Sequence, residues 1–562
     1  MDAEREPASL LDLLDELLTT RLLEETGLSY SFPHPLLREA VYQQMSEARR
    51  RAFHGRVARA LEMLYRDDLD MPVEAIAYHY LQVGEVEQAV RYLIRAGDRA
   101  EAIYAHDDAL LRYEEALSLL EGEITSELLR LSAEVQERIG DAHRATGDVA
   151  RSVEAYRSAL EVLTLANIPP SEGPQATVHR KIVLGAILTT DMATAAEHLS
   201  RARELLGPDS LEEARLLVAQ ALFDWHRNAL EDAVQHALRA LEIAEAAGAQ
   251  VEITQACEML ALAYLPLGNW EEGLKYELRR QVEGWSPEVV VATDGHLCLW
   301  EYHVHGDEPY QRAQEFIETV SEHATAIGDL RCVAVCYYAL GSMAFLRGNL
   351  EPAAQNLVRA LELNQRIGSS AGVAYTLARQ ASLSTAQGAA ETGWTLVQQG
   401  LEVAQQTVVW DHSLQRLYGT GIWNRLEVGD LANAGELVEA AKRLEEERRM
   451  CTVCGLQLYP ALAAFHLASG DLENAWAYTE KAQQLAEMGY NRAGQAQALR
   501  VQGEIHAARG ESTEAEACLT RAADIFRELD QRYDLAQTLR IWGDLPTRTD
   551  SEAQRGGRAR PR

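Results

Sequence analysis

The sequence predicts an all-α protein, a right-handed superhelical solenoid of helix-turn-helix repeats. Three observations predict it. A turn signal returns roughly every 40 residues. A small residue follows each signal at a fixed distance. A second small residue follows seven positions later, on nearly the same helical face.

The turn signal is a Gly followed by Asp, Asn or Glu: Gly147-Asp148, Gly268-Asn269, Gly348-Asn349, Gly429-Asp430, Gly470-Asp471 and Gly510-Glu511. With the second residue of each pair as anchor, the pattern fills in to Glu85, Ala105, Asp148, Asp191, Ala229, Asn269, Pro309, Asn349, Ala389, Asp430, Asp471 and Glu511. From Ala229 onward the spacings are 40, 40, 40, 40, 41, 41 and 40, whereas Glu85 and Ala105 are only 20 apart. Four residues after the anchors stand Ala89, Ala109, Ser152, Ala195, Ala233, Gly273, Ala313, Ala353, Gly393, Ala434, Ala475 and Ala515, all small. Eleven residues after the anchor, ten of twelve positions are Ala or Gly, and the exceptions are Arg280 and Val320.

The chemistry of these positions specifies a helix, a tight turn and a second helix. Gly supplies the left-handed conformation that ends the first helix. Asp or Asn after it can accept hydrogen bonds from the opening N–H groups of the second. Small residues on one face let the paired helix approach closely. One pair cannot bury its apolar stripe alone, so neighbouring pairs stack. The unit containing Tyr337, Leu340, Gly341, Gly348, Ala353, Leu357, Ala360 and Leu361 resembles the tetratricopeptide repeat family at its signature spacing. The resemblance covers residues 72–545 and implies about twelve units.

Residues 1–66 do not follow this period. Leu10, Leu13, Leu14, Leu17 and Leu18 share a face of an amphipathic helix. Gly27 to Phe32 alternates like a short strand, and a helix follows from Pro35. That order is what the end of a winged-helix domain would supply. The run Phe32-Pro33-His34-Pro35-Leu36-Leu37-Arg38-Glu39-Ala40-Val41-Tyr42, its continuation from Arg49 to Glu62, and the segments Ala75–Tyr80 and Arg95–Ala100 resemble the junction between ATPase module and repeats in bacterial STAND-type regulators. These include the large ATP-binding LuxR-like regulators, the SARP activators, and cyclases or kinases with the same tail. The resemblance implies that His34 is the counterpart of the winged-helix histidine that touches ADP. It also implies coupling through a junction helix from Pro35 to Leu64. No GxxxxGK[ST] loop is present, and no Gly-Lys dipeptide occurs at all. A P-loop phosphate cradle is therefore missing, and the family's ATPase core would lie upstream of Met1.

Composition narrows the function. A net charge of −33 opposes direct nucleic-acid binding. The seven Arg and three Glu between Arg38 and Arg66 read as a solvated helix face. No apolar run reaches the roughly 18 residues of a membrane helix, and Met1 to Glu6 lacks a signal-peptide pattern. Seven cysteines form no secreted disulfide framework, so a cytoplasmic location is expected. Cys451 and Cys454 form a CxxC without a second pair, and His466 is the nearest histidine in sequence. These thiols, like Cys332 and Cys336, read as repeat-helix residues, and no metal is expected. No catalytic constellation stands out, so the chain is read as non-catalytic.

The period holds but the chemistry changes between Asn269 and Pro309. There Arg280 adjoins Arg279, among Trp270, Tyr276, Trp285, His296, Trp300, Tyr302, His303 and His305. If first helices line a concave groove, as the resemblance implies, Trp225, His226, Tyr302, His305, Tyr338, Phe345, Arg416 and Trp423 face it. Aromatics with Arg suit a protein or peptide partner, or a small-molecule inducer. Three segments follow: a partial winged helix with junction helix at 1–66, the repeat array at 67–545, and a disordered, mildly basic tail at 546–562. The expected function is the ligand-sensing or protein-binding region of a STAND-type regulator of transcription or of a cyclase or kinase. The expected partner is an ATPase module in cis or in trans. ATP or ADP would enter only with that module, and no other cofactor, nucleic acid or membrane is expected. The alternative is a stand-alone tetratricopeptide scaffold.

Overall fold

A computed structural model describes residues 7–283 and 310–543, apart from short loop positions. The chain divides into two compact units, Met1–Val135 and Gln136–Arg562. The first begins with α1 (Pro7–Thr19), a hairpin of β1 (Glu24–Thr26) and β2 (Ser29–Ser31), α2 (Pro35–Gln44) and α3 (Glu47–Leu64). It continues with α4 (Val73–Val83), α5 (Val86–Ala102) and α6 (His106–Leu119), and α7 (Ser126–Ala145) spans the division. The second unit holds α8 (Val149–Leu165), α9 (Gln175–Leu188), α10 (Met192–Leu205), α11 (Leu211–His226), α12 (Leu230–Ala247), α13 (Gln250–Tyr264) and α14 (Trp270–Glu283). After them come α15 (Tyr310–Ala326), α16 (Leu330–Leu346), α17 (Leu350–Arg366), α18 (Ser370–Ala386), α19 (Ala390–Ala404) and α20 (Trp410–Glu427). The last are α21 (Leu431–Glu447), α22 (Thr452–Ala468), α23 (Leu472–Met488), α24 (Arg492–Arg509), α25 (Ser512–Glu528) and α26 (Arg532–Gly543). The fold is thus an all-α repeat solenoid, and the one sheet among the described residues is the short hairpin.

The expected anchors fall at helix starts. Glu85, Ala105, Asp148, Asp191, Ala229, Asn349, Ala389, Asp430, Asp471 and Glu511 are each the capping residue of a second helix. Asp148, Asp191, Asp430 and Asp471 accept from the N–H three residues on, each at 3.1 Å. Hydrogen bonds from Thr194, Asn433 and Asn474 hold the carboxyls of Asp191, Asp430 and Asp471 below the usual range. The residues four positions beyond the anchors lie in the helix contacts; Ala89, Ala195, Ala353 and Ala515 have no exposed surface.

The two helices of a pair differ in burial for a physical reason. On α17 the buried residues Ala353, Leu357, Ala360 and Leu363 make one stripe, and the opposite face meets solvent. On α13 and α22 almost every position is buried, because these helices pack on both sides. The sequence of α22 is accordingly apolar nearly all round, whereas α13 also buries Glu252 and Glu258.

The N-terminal piece differs from expectation in one way. The helix expected from Pro35 to Leu64 is two helices, since Met45 is extended and Ser46 caps α3 by accepting from the Arg49 N–H. Ala58 and Leu61 of α3 share a core with Ile76, Tyr80 and Ala89, so this helix packs as the first layer of the repeats. The hairpin pairs Glu25 with Tyr30 around Gly27 and supplies the strand seen in the sequence. The tail at 546–562 lies outside the described residues.

Close packing within a pair makes a testable demand. A Cβ at Gly341 would sit 2.8 Å from Leu357 Cγ, whereas one at Gly435 meets nothing nearer than 3.4 Å. Ala in mid-helix gains roughly 0.5–1 kcal/mol over Gly, but overpacking costs about 1–3 kcal/mol. Gly341→Ala is therefore expected to lower the urea midpoint, and Gly435→Ala to leave it unchanged or raise it.

Candidate functional site

The second unit coils until distant repeats touch. Arg331 Nη2 donates to Gly147 O at 3.4 Å, across 184 residues. Thr452 Oγ1 donates to Leu265 O at 2.7 Å, across 187 residues. Arg347 Nε meets Asp530 Oδ2 at 3.0 Å, across 183 residues. The offset is nearly constant, as a regular solenoid requires. Turn glycines sit at these contacts: a Cβ on Gly147 would come within 3.2 Å of Ile367.

Among the described residues, the two larger pockets open where the coils meet. The first has a volume of about 600 Å³, within the usual range for ligand sites. Thr146–Ala150, Leu188, Thr189 and His226 form one side, and Arg331, Arg366–Ala371, Gln406, Thr407 and Val409 the other. Its walls mix hydroxyls (Thr146, Ser369, Ser370, Thr407) with the charges of Asp148, Arg331 and Arg366. The helix start at Ser369, whose hydroxyl accepts from the Gly372 N–H at 3.1 Å, fixes part of the wall.

The second pocket is smaller, about 200 Å³, and carries more charge. Phe345, Arg379, Trp423 and Asn424 face Arg500, Glu504, Tyr533 and Asp534 there. Arg500 pairs with Asp534 at 3.1 Å, both buried, and lies 5.6 Å over the Trp423 ring. Burial raises the Glu504 carboxyl, while Arg500 and Arg540 oppose that shift. Phe345 packs on Tyr533 with ring centroids 4.5 Å apart.

The residues expected to line a groove separate into two groups. His226 lines the first pocket, and Phe345 and Trp423 line the second. Trp225, Tyr338 and Arg416 are interior. Trp225 Nε1 donates to Leu262 O at 3.1 Å. Tyr338 sets its edge against Tyr375, and Arg416 lies 4.6 Å over that same Tyr375 ring. Inner helices pack on both sides, so much of their expected groove face is covered. Tyr302 and His305 lie outside the described residues, as does most of the aromatic stretch between Asn269 and Pro309. His34 is exposed and spends Nδ1 on capping α2, accepting from the Leu36 N–H at 3.2 Å.

Sequence reasoning missed the turn residues of the first pocket, because the period describes one repeat and says nothing of its neighbour a coil away. It also missed a grouping around the CxxC. His412, Cys451 and Cys454 come together, all buried, with their potential ligand atoms within 4.8 Å of one another. His466, the nearest histidine in sequence, instead bonds Asp471 at 3.2 Å. Cys332 and Cys336 lie in the apolar core as expected. Among the described residues no helix is long and apolar enough to cross a membrane.

No protein-family model matches the sequence, and no curated protein matches it. The structure is similar to that of a Rap protein complexed with competence and sporulation factor, at 12% identity over 79% of this chain and 99% of that one, with a TM-score of 0.35. It is similar to a STAND protein with a tetratricopeptide repeat sensor from Pyrococcus horikoshii, at 14% identity over 79% of this chain and 60% of that one, with a TM-score of 0.38. It is also similar to the APC/C hetero-tetramer Cut9–Hcn1, at 13% identity over 92% and 94% of the chains, with a TM-score of 0.37.

The two groups of residues should respond differently to truncation. Trp225→Ala is expected to cost about 3–5 kcal/mol, because it empties a packed interior. Trp423→Ala, at a pocket wall, is expected to cost less than that range. Urea denaturation of the two variants measures both.

Proposed function

We propose that the second unit is a non-catalytic sensing array of the kind joined to STAND-type ATPases, and that its ligand enters the first pocket. The observation that carries this reading is the pocket's position between two coils of one array. A ligand there touches Thr146–Ala150 and Arg366–Ala371 at once, so it binds the closed coil better than an opened one. Such a difference in affinity is what lets a ligand bias a conformational equilibrium. The hydroxyl, Arg and His lining suits a polar small-molecule inducer or a peptide segment with an acidic group.

The N-terminal residues support a wider setting for this array. The run from Phe32 to Tyr42 and its continuation to Glu62 resemble the junction with an ATPase module. The array would then report occupancy to that module, in cis or in trans, through α2 and α3. The module, with its own nucleotide, would control transcription or a cyclase or kinase.

The test is affinity capture from native lysate with the intact chain and with Ser370→Trp, which fills the first pocket. Mass spectrometry is expected to find a bound small molecule or peptide that the variant loses, while circular dichroism of the two proteins agrees. Capture of the same molecules by both proteins would remove the pocket from the account and leave a scaffold.

A further inference from the structure

The three grouped ligands have a geometry and a setting that the repeat fold does not require. Cys451 caps α22 and Cys454 lies in its first turn, so both thiols gather at one helix end. His412 lies in the first turn of α20, the preceding inner helix, which packs beside α22. His412 Nδ1 stands 3.7 Å from Cys454 Sγ. Around a tetrahedral zinc, with bonds of ~2.3 Å to sulfur and ~2.0–2.1 Å to nitrogen, the nitrogen–sulfur edge is about 3.6 Å. The observed separation is close to that edge before any metal draws the atoms together.

We propose that His412, Cys451 and Cys454 form a zinc site that ties α20 to α22. The charge balance suits burial. Zinc binding displaces one proton from each thiol to solvent, and two thiolates then neutralise the dication while the imidazole stays neutral. A site of zero net charge avoids most of the cost of an uncompensated buried ion. Thiolate and imidazole together favour zinc over magnesium or calcium, which take oxygen ligands.

Two further features point to a built site. A void of about 10 Å³ adjoins the group, lined by Asp411, His412, Cys451, Trp225 and His226. That is about the space one water needs, so the fourth position can hold a water. The surroundings also hold the ligands in place from the next coil. Trp225 packs against the His412 ring, with centroids 5.0 Å apart and planes 34° apart. Thr452, between the two cysteines, donates to Leu265 O at 2.7 Å. Both contacts limit how far the ligand-bearing segments can shift in a close-packed interior. Metal loading would thus stiffen the array where its coils meet.

The test uses the purified full chain, reduced and stripped with chelator, then titrated with cobalt and afterwards with zinc. One equivalent of cobalt is expected to develop the intense visible absorption of a tetrahedral thiolate site, and zinc is expected to bleach it. Cys454→Ser is expected to abolish the band. Cys336→Ser, which removes a buried thiol elsewhere in the core, is expected to keep it. A wild-type chain that takes up cobalt without this band, or takes up none, overturns the proposal whatever the variants do. A band that persists in Cys454→Ser overturns it as well.

Discussion

The close approach of paired helices, set by two small residues seven positions apart on the second helix, is the constraint on which the rest of the structure depends. Ala353 and Ala360 on α17 and Ala475 and Ala482 on α23 are fully buried at these positions. Glycine on the first helix continues the same contact, as where Gly341 receives Leu357. A repeated contact of fixed size rotates each pair by a repeated amount. The result is a coil whose parts meet again after 183, 184 and 187 residues at three separate places.

Coil closure explains both the burial and the sites. An inner helix packed on its own neighbours and against another coil must be apolar all round, as α22 is. The turns between helices become contact surfaces, and the left-handed glycines there leave space for the facing coil. Where the fit is loose, the first pocket remains between Thr146–Ala150 and Arg366–Ala371. Where it is tight, Trp225 packs on His412, which stands beside the two cysteines.

The repeat architecture was legible because its determinants are local. Gly and Asp at a turn, and Ala on a helix face, act within one or two dozen residues. The caps at Asp148, Asp191, Asp430 and Asp471 therefore appear where the sequence places them. The site was legible only in part. Trp423 is partly exposed at a pocket that buried Phe345 also lines, yet Trp225, Tyr338 and Arg416, chosen by the same rule, are covered. Periodicity identifies a helix face but not what packs against it from a coil away. A separation of one repeat, 39 residues, hid His412 from Cys451, since His466 is much nearer in sequence. The break between α2 and α3 escaped notice because Ser46 sits in a continuous run of helix-forming residues.

Coil closure is tested most directly by a cross-link between residues that only closure brings together. A Cβ on Gly348 would lie 3.8 Å from the Cβ of Arg532, a separation that suits a disulfide. The Gly348→Cys/Arg532→Cys double variant, oxidised mildly and digested, should yield a linked 348–532 peptide in mass spectra, absent from either single variant. Recovery of both new thiols unlinked after oxidation, in a chain with unchanged helical circular dichroism, would contradict the closed coil.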